Sequence, residues 1–259
     1  MTPEHTRTSL VLIPGIQGRW EWLTPAIRVL DRNHEVLTFS LGDVSGPRLF
    51  DRWASRIDDL LDTGGREKAV IVGVSFGGLV AGWYAAHRPE RVSALILVAA
   101  PSPHWRIDEQ SARYARNPRL SLPLFALRAI GRLAPELAAA MPGWGARLRF
   151  GAGYAARAVR YPASPRQMAA VVDEWRRTNL ADISGRVTAP TLVITGEDTL
   201  DRVVPVASTL EYLSLIPGAV HARLPQTGHI GCLSKPAEFA ALVSDFIHAS
   251  RSDRTLGRP

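Results

Sequence analysis

Residues 69–87, AVIVGVSFGGLVAGWYAAH, restrict the possible folds of this chain more than any other stretch. Ala69, Val70, Ile71 and Val72 form a short apolar run rich in β-branched side chains, as a buried strand requires. From Phe76 onward, Leu79, Val80, Trp83 and Tyr84 recur at helical spacing. Ser75 stands at the joint, inside Gly73-Val74-Ser75-Phe76-Gly77. A chain that turns from strand to helix this sharply leaves no room for side chains at 73 and 77, and Gly78 permits still closer packing. A plain glycine turn with a capping serine would account for five residues alone. Flanked by strand and helix, G-x-S-x-G instead fits an elbow whose strained serine projects its hydroxyl above a sheet.

Strands and helices alternate around this unit. Strands are expected at 9–13, 35–40, 69–72, 93–99, 191–195 and 219–224, and helices at 20–30, 49–61, 206–215 and 236–248. The continuous apolar run SALILVA at 93–99 fits a strand buried on both faces. Such alternation predicts an α/β fold, a mostly parallel doubly wound sheet with helices on both sides. Right-handed crossovers then bring Pro14, Ser75 and Pro101 to one edge, where a ligand crevice is expected.

From Ser102 the alternation stops. Helical patterns at 107–116, 122–141, 146–160 and 165–179 follow one another without a strand, broken by Pro118, Pro142-Gly143 and Pro162. This block reads as an all-helical lid, residues 102–185, inserted into a core made of 1–101 and 186–259. The polar tail from Arg251 is expected to be mobile.

At 259 residues and 46% hydrophobic content the chain can bury a substantial core. Cys232 is the only cysteine, so neither an intrachain disulfide nor a CxxC motif exists. No secretory signal or membrane span is apparent, and a soluble, cytoplasmic protein without integral membrane association is expected. Residues 102–185 hold thirteen arginines against six acids, which accounts for the whole net charge of +7. A solvated lid face explains this excess most simply. Attraction of an anionic substrate, an acyl carrier protein or an acidic membrane surface is the alternative. No recognition motif accompanies the charge, so nucleic acid is not an expected partner.

A serine hydroxyl attacks carbonyl carbon only if a base takes its proton and a carboxylate holds that base. The order Ser, acid, His suits this topology. After the strand at 191–195, GEDTLDRVVP offers Glu197, Asp198 and Asp201, and after the last strand PQTGH offers His229, with Gly228 easing the turn.

With GVSFGG, DRVVP and TGHIG in place, the chain resembles the α/β-hydrolases of the esterase and lipase superfamily over residues 9–101 and 186–250. The resemblance implies Asp201 as the triad acid through D-x-x-V-P. The spacing from Gly196 departs from the commoner family pattern and keeps Asp198 in reserve. It also implies an oxyanion hole from the backbone N–H groups of Phe76 and Ile16. Pro14-Gly15 replaces the frequent His-Gly of that loop, which need not disable a main-chain donor. Gln17, Arg19, Trp20, His104 and Trp105 are candidate pocket residues, and Trp22 stands beside them. His34, His87 and His221 are expected in structural roles, and Cys232 as a packed residue.

The implied activity is cleavage of carboxylic esters through an acyl-enzyme, on a small-molecule acyl substrate and with neither metal nor organic cofactor. Thioester, lactone or carbon–carbon bond hydrolysis would use the same triad. Dehalogenase and epoxide-hydrolase chemistry is disfavoured, since those relatives carry aspartate where this chain has Ser75. A ligand-binding receptor or degenerate hydrolase without meaningful turnover is the alternative of another class.

Overall fold

The computed structural model describes residues 7–106, 131–183 and 185–255. Strands β1 (Thr8–Ile13), β2 (His34–Thr38), β3 (Ala69–Val74), β4 (Val92–Val98), β5 (Thr191–Thr195) and β6 (Val220–Arg223) form one sheet in the order β2-β1-β3-β4-β5-β6. Every neighbouring pair is parallel. The doubly wound α/β sheet expected from the sequence is therefore present.

Successive side chains of a strand point to opposite faces, and here they feed two cores. Leu10, Leu12, Val70, Val72 and Ile96 pack with Ala26 and Leu30 of α1 (Thr24–Leu30) and with Phe239 and Val243 of the C-terminal helix. The alternate residues Val11, Ile13, Ile71 and Leu97 meet Trp53 and Ile57 of α2 (Leu49–Thr63) and Leu79 of α3 (Phe76–His87). The interior strands β3, β4 and β5 thus need continuous apolar runs, because neither of their faces meets water, while the edge strand β6 is largely exposed.

The helix expected over 20–30 divides into a 3-10 turn, Trp20–Leu23, and α1, which starts beside Pro25. Proline suits a first helical turn because its missing N–H has no helical partner there. The chain passes from β1 to β2 on one side and returns to β3 on the other, so the winding reverses between β1 and β3. Open α/β sheets place their ligand crevice at such a reversal, beyond the C-terminal ends of the strands.

Between β4 and β5 the described residues form no strand; the helices are 131–140 (α4), α5 (Trp144–Arg160) and α6 (Pro165–Arg177), followed by a 3-10 turn at Ala181–Ile183. The helix expected at 107–116 and the first part of 122–141 lie outside the described residues. Leu133, Leu137, Phe150 and Tyr154 pack against one core, while Val171 and Trp175 join the other. The Trp22 indole N–H donates to the Tyr161 carbonyl at 2.9 Å, and the Leu49 amide donates to the Glu174 carboxylate at 2.8 Å.

After β5 the expected helix 206–215 is broken into α7 (Val206–Leu210) and α8 (Tyr212–Leu215). After β6 come α9 (Gly231–Ser234) and α10 (Pro236–Thr255). Of the tail expected from Arg251, the part up to Thr255 is helical, and residues 256–259 lie outside the described residues. Extending an existing helix costs little even for polar residues, and the Ser250 and Ser252 hydroxyls donate back to the Phe246 and His248 carbonyls. No described helix is long and apolar enough to cross a membrane.

Candidate active site

Ser75 joins β3 to α3 with φ 54° and ψ −126°, a conformation that L-residues avoid. Its amide donates to the Val98 carbonyl at 2.8 Å, and its own carbonyl accepts from Gly78, also at 2.8 Å. The glycines make the turn sterically possible. A Cβ at Gly73 would lie 2.4 Å from the Gly77 carbonyl oxygen, and one at Gly77 would lie 2.4 Å from that of Ile13. The elbow therefore seats directly on the end of β1.

His229, from the loop after β6, places Nε2 2.9 Å from the Ser75 hydroxyl oxygen. Its Nδ1 stands 3.2 Å from Oδ2 of Asp201, from the loop after β5. A carboxylate only accepts, so the imidazole proton belongs on Nδ1 and Nε2 is left to accept from the serine. Oδ1 of Asp201 accepts from the amides of Val203 and Val204, both at 3.0 Å, which fixes the carboxylate plane. The Asp201 side chain is 1% exposed and that of His229 10%. Gly228 contributes differently from expectation, through close approach. A Cβ there would lie 2.5 Å from the Leu200 carbonyl and 2.8 Å from the Asp201 amide, so its absence lets the two loops touch. Asp198 is exposed, and the structure brings Asp201, not Asp198, to the imidazole.

The expected oxyanion donors border the same point. Phe76 opens α3, where an N–H has no helical acceptor. Ile16 follows Gly15, whose missing Cβ would lie 3.4 Å from Ser75 Cβ and 3.1 Å from the Gln17 side-chain oxygen. Gly15 thus lies between the Gln17 side chain and the serine. Trp105 is half-buried against Trp175, with ring centroids 5.6 Å apart, and Trp175 in turn meets Phe76 at 5.4 Å. Arg19 pairs with Glu21 and lies over the Tyr161 ring, which ties the β1 loop to the insertion. Trp20 is 36% exposed. His104 is turned outward, its Nδ1 3.4 Å from the Glu211 carboxylate, which corrects its placement as a pocket residue.

Three further histidines have hydrogen-bond partners. His34 bonds to Ser244, His221 to Thr195 and His87 to the Trp83 carbonyl, each at 2.8 Å. Cys232 is buried, and desolvation followed by the nearby Glu136 charge pushes its thiol up to about 12, leaving it inert.

Two residues of the insertion escaped sequence reasoning. Gln167 reaches Gly18 and Gly42, filling the space that side chains there would need. Glu136 on α4 is 0% exposed and accepts from the Ile230 amide through both oxygens, at 3.0 and 3.2 Å. An acid among Leu133, Leu137 and Ala138 is the signal that marked it in the sequence.

Comparison with known proteins places this geometry in context. The chain is 32% identical over 206 residues to 2-hydroxymuconate semialdehyde hydrolase of Pseudomonas sp. (strain CF600), covering 76% of this chain and 68% of that protein. The crystal structure of a hydrolase from Pseudomonas aeruginosa PA01 superposes with a TM-score of 0.75 at 23% identity, covering 94% of this chain and 91% of the other. That of the enol-lactonase from Burkholderia xenovorans LB400 gives 0.72 at 22% identity, over 95% and 93%. The family model for the alpha/beta hydrolase family matches residues 10–242, from β1 into α10, and the chain belongs to that family.

Proposed function

We propose that the chain is a serine hydrolase that cleaves carboxylic esters through an acyl-enzyme. The observation that carries this reading is the line from Ser75 Oγ through His229 to Asp201, with contacts of 2.9 and 3.2 Å. Ser75 Oγ attacks the ester carbonyl carbon while its proton passes to His229 Nε2, and Asp201 stabilises the imidazolium. The resulting oxyanion accepts from the Ile16 and Phe76 amides. Collapse breaks the carbon–oxygen bond, and His229 returns the proton to the departing alcohol. Water then attacks the acyl-enzyme, giving its proton to His229, and the acid leaves as Ser75 recovers its hydrogen. The helical insertion acts as the lid. Its arginine-rich outer face is solvated, and an anionic acyl substrate or carrier protein is the partner chemistry it would attract.

A second reading keeps the triad and changes the bond. Similarity to 2-hydroxymuconate semialdehyde hydrolase across 76% of the chain favours a carbon–carbon bond hydrolase over lactonase or thioesterase activity. The test is steady-state turnover of a short-chain p-nitrophenyl ester, compared across a panel of thioesters, lactones and diketones. Ester hydrolysis is expected, and Ser75→Ala should lower kcat by at least about a thousandfold. Faster turnover of a diketone than of any ester would move the assignment to the second reading. Stoichiometric labelling of Ser75 without turnover would make the chain a receptor.

A further inference from the structure

Glu136 presents an unusual combination: a carboxyl group with no exposed surface, on a helix of the insertion, touching the loop of the candidate catalytic histidine. Both of its oxygens accept from Ile230, the residue after His229. The amide of Gly228, the residue before His229, also acts on it. The carboxylate therefore takes up the main-chain N–H of the residue that follows the histidine. Ile230 is buried, and a buried donor without an acceptor carries a full desolvation penalty. The loop is thus held in this path by a group that the β-sheet core does not supply.

We propose that Glu136 is a positioning residue, a carboxylate of the lid that fixes the His229 loop through the Ile230 amide. This rests on the reading of Ser75, His229 and Asp201 as the reacting triad. Glu136 makes no contact with the serine and takes no proton in the reaction. Its effect runs through His229, whose angle to Ser75 decides whether the hydroxyl proton can transfer.

The charge state follows from its surroundings. Burial is the strongest influence and raises the pKa of Glu136, and Asp201 adds to that; the two amides and His229 pull the other way. Its hydrogen-bond neighbour Ile230 is a donor to both oxygens, which suits an ionised carboxylate, whereas a protonated one would bring an O–H in need of an acceptor of its own. The titratable groups facing this cluster are Asp201 from the loop after β5, His229 from the loop after β6 and Cys232 from α9.

The test uses phosphonylation of Ser75 by a fluorophosphonate, whose rate reports the serine–histidine pair without reference to the natural substrate. Glu136→Gln should slow labelling by about tenfold to a hundredfold. Glu136→Asp keeps the carboxylate on a shorter arm and should retain more of the wild-type rate than Glu136→Gln, the reverse of the order that side-chain size alone would give. If Glu136→Gln fails to fold, as judged by circular dichroism, the aspartate variant carries the test alone through a labelling rate below that of the wild type. Wild-type labelling rates in either folded variant, or faster labelling of folded Glu136→Gln than of Glu136→Asp, would overturn the proposal. Labelling of the wild type without ester turnover would count against the ester reading only, and leave the Glu136 comparison intact.

Discussion

At the scale of single residues, position alone separates groups of identical chemistry. Asp198 and Asp201 lie three residues apart, yet one is exposed while the other is enclosed, oriented by two amides and set against an imidazole. Asp201→Asn should therefore lower kcat by about 10³–10⁴-fold, because an amide can present its NH₂ to Nδ1 and turn the imidazole to the wrong tautomer. Asp198→Asn should stay within about twofold of wild type, as surface substitutions do. Ester turnover of the two variants under identical conditions checks both. The sequence left these residues undecided on spacing, and only the D-x-x-V-P resemblance favoured Asp201. Residue-level sequence reasoning went astray where partners are remote: His104 stands at a strand end but turns to Glu211, and Glu136 meets a loop 94 residues away.

At the scale of elements, the elbow is a junction of three pieces: β3, α3 and the end of β1. Gly77 is the point where they come closest, and Gly77→Ala would drive a methyl group into the Ile13 and Pro14 carbonyl oxygens, at 2.4 and 2.6 Å. Backbone atoms cannot swing aside as a flexible side chain can. The substitution should cost about 3 kcal/mol, lowering the Tm by roughly 5–10 °C, and should reduce turnover through displacement of Ser75. Thermal unfolding and ester turnover measured together would check this. Strands, helices and elbow were legible because each is encoded locally, by apolar runs, by helical spacing and by glycines at a turn. Boundaries slipped where tertiary context took over. The 20–30 helix yields its first turn to a 3-10 segment before Pro25, and α10 continues seven residues beyond its expected end at His248.

At the scale of the whole molecule, the site is assembled from parts that begin far apart in the chain and meet only because the sheet is wound in two directions. Burying Glu136 within this assembly has a thermodynamic sign. Its pKa is raised from the ordinary 4.5, chiefly by burial, so just above that value the native state retains a proton that the unfolded chain has lost. Stability must then fall as pH rises through the window between the unfolded and folded pKa values. Glu136→Gln cannot titrate. The Tm of wild type relative to this variant should therefore decline from about pH 4.5 upward and level off once the native carboxyl is ionised. Circular-dichroism melts across a pH series would test it, and a flat difference would contradict the expected sign. The contact between Glu136 and the Ile230 amide also bears on engineering. Anyone exchanging residues 131–177 for the equivalent segment of another hydrolase, to alter substrate choice, would transplant away the acceptor on which the main-chain donor after His229 relies. A successful chimera would have to bring an acid of its own to that spot.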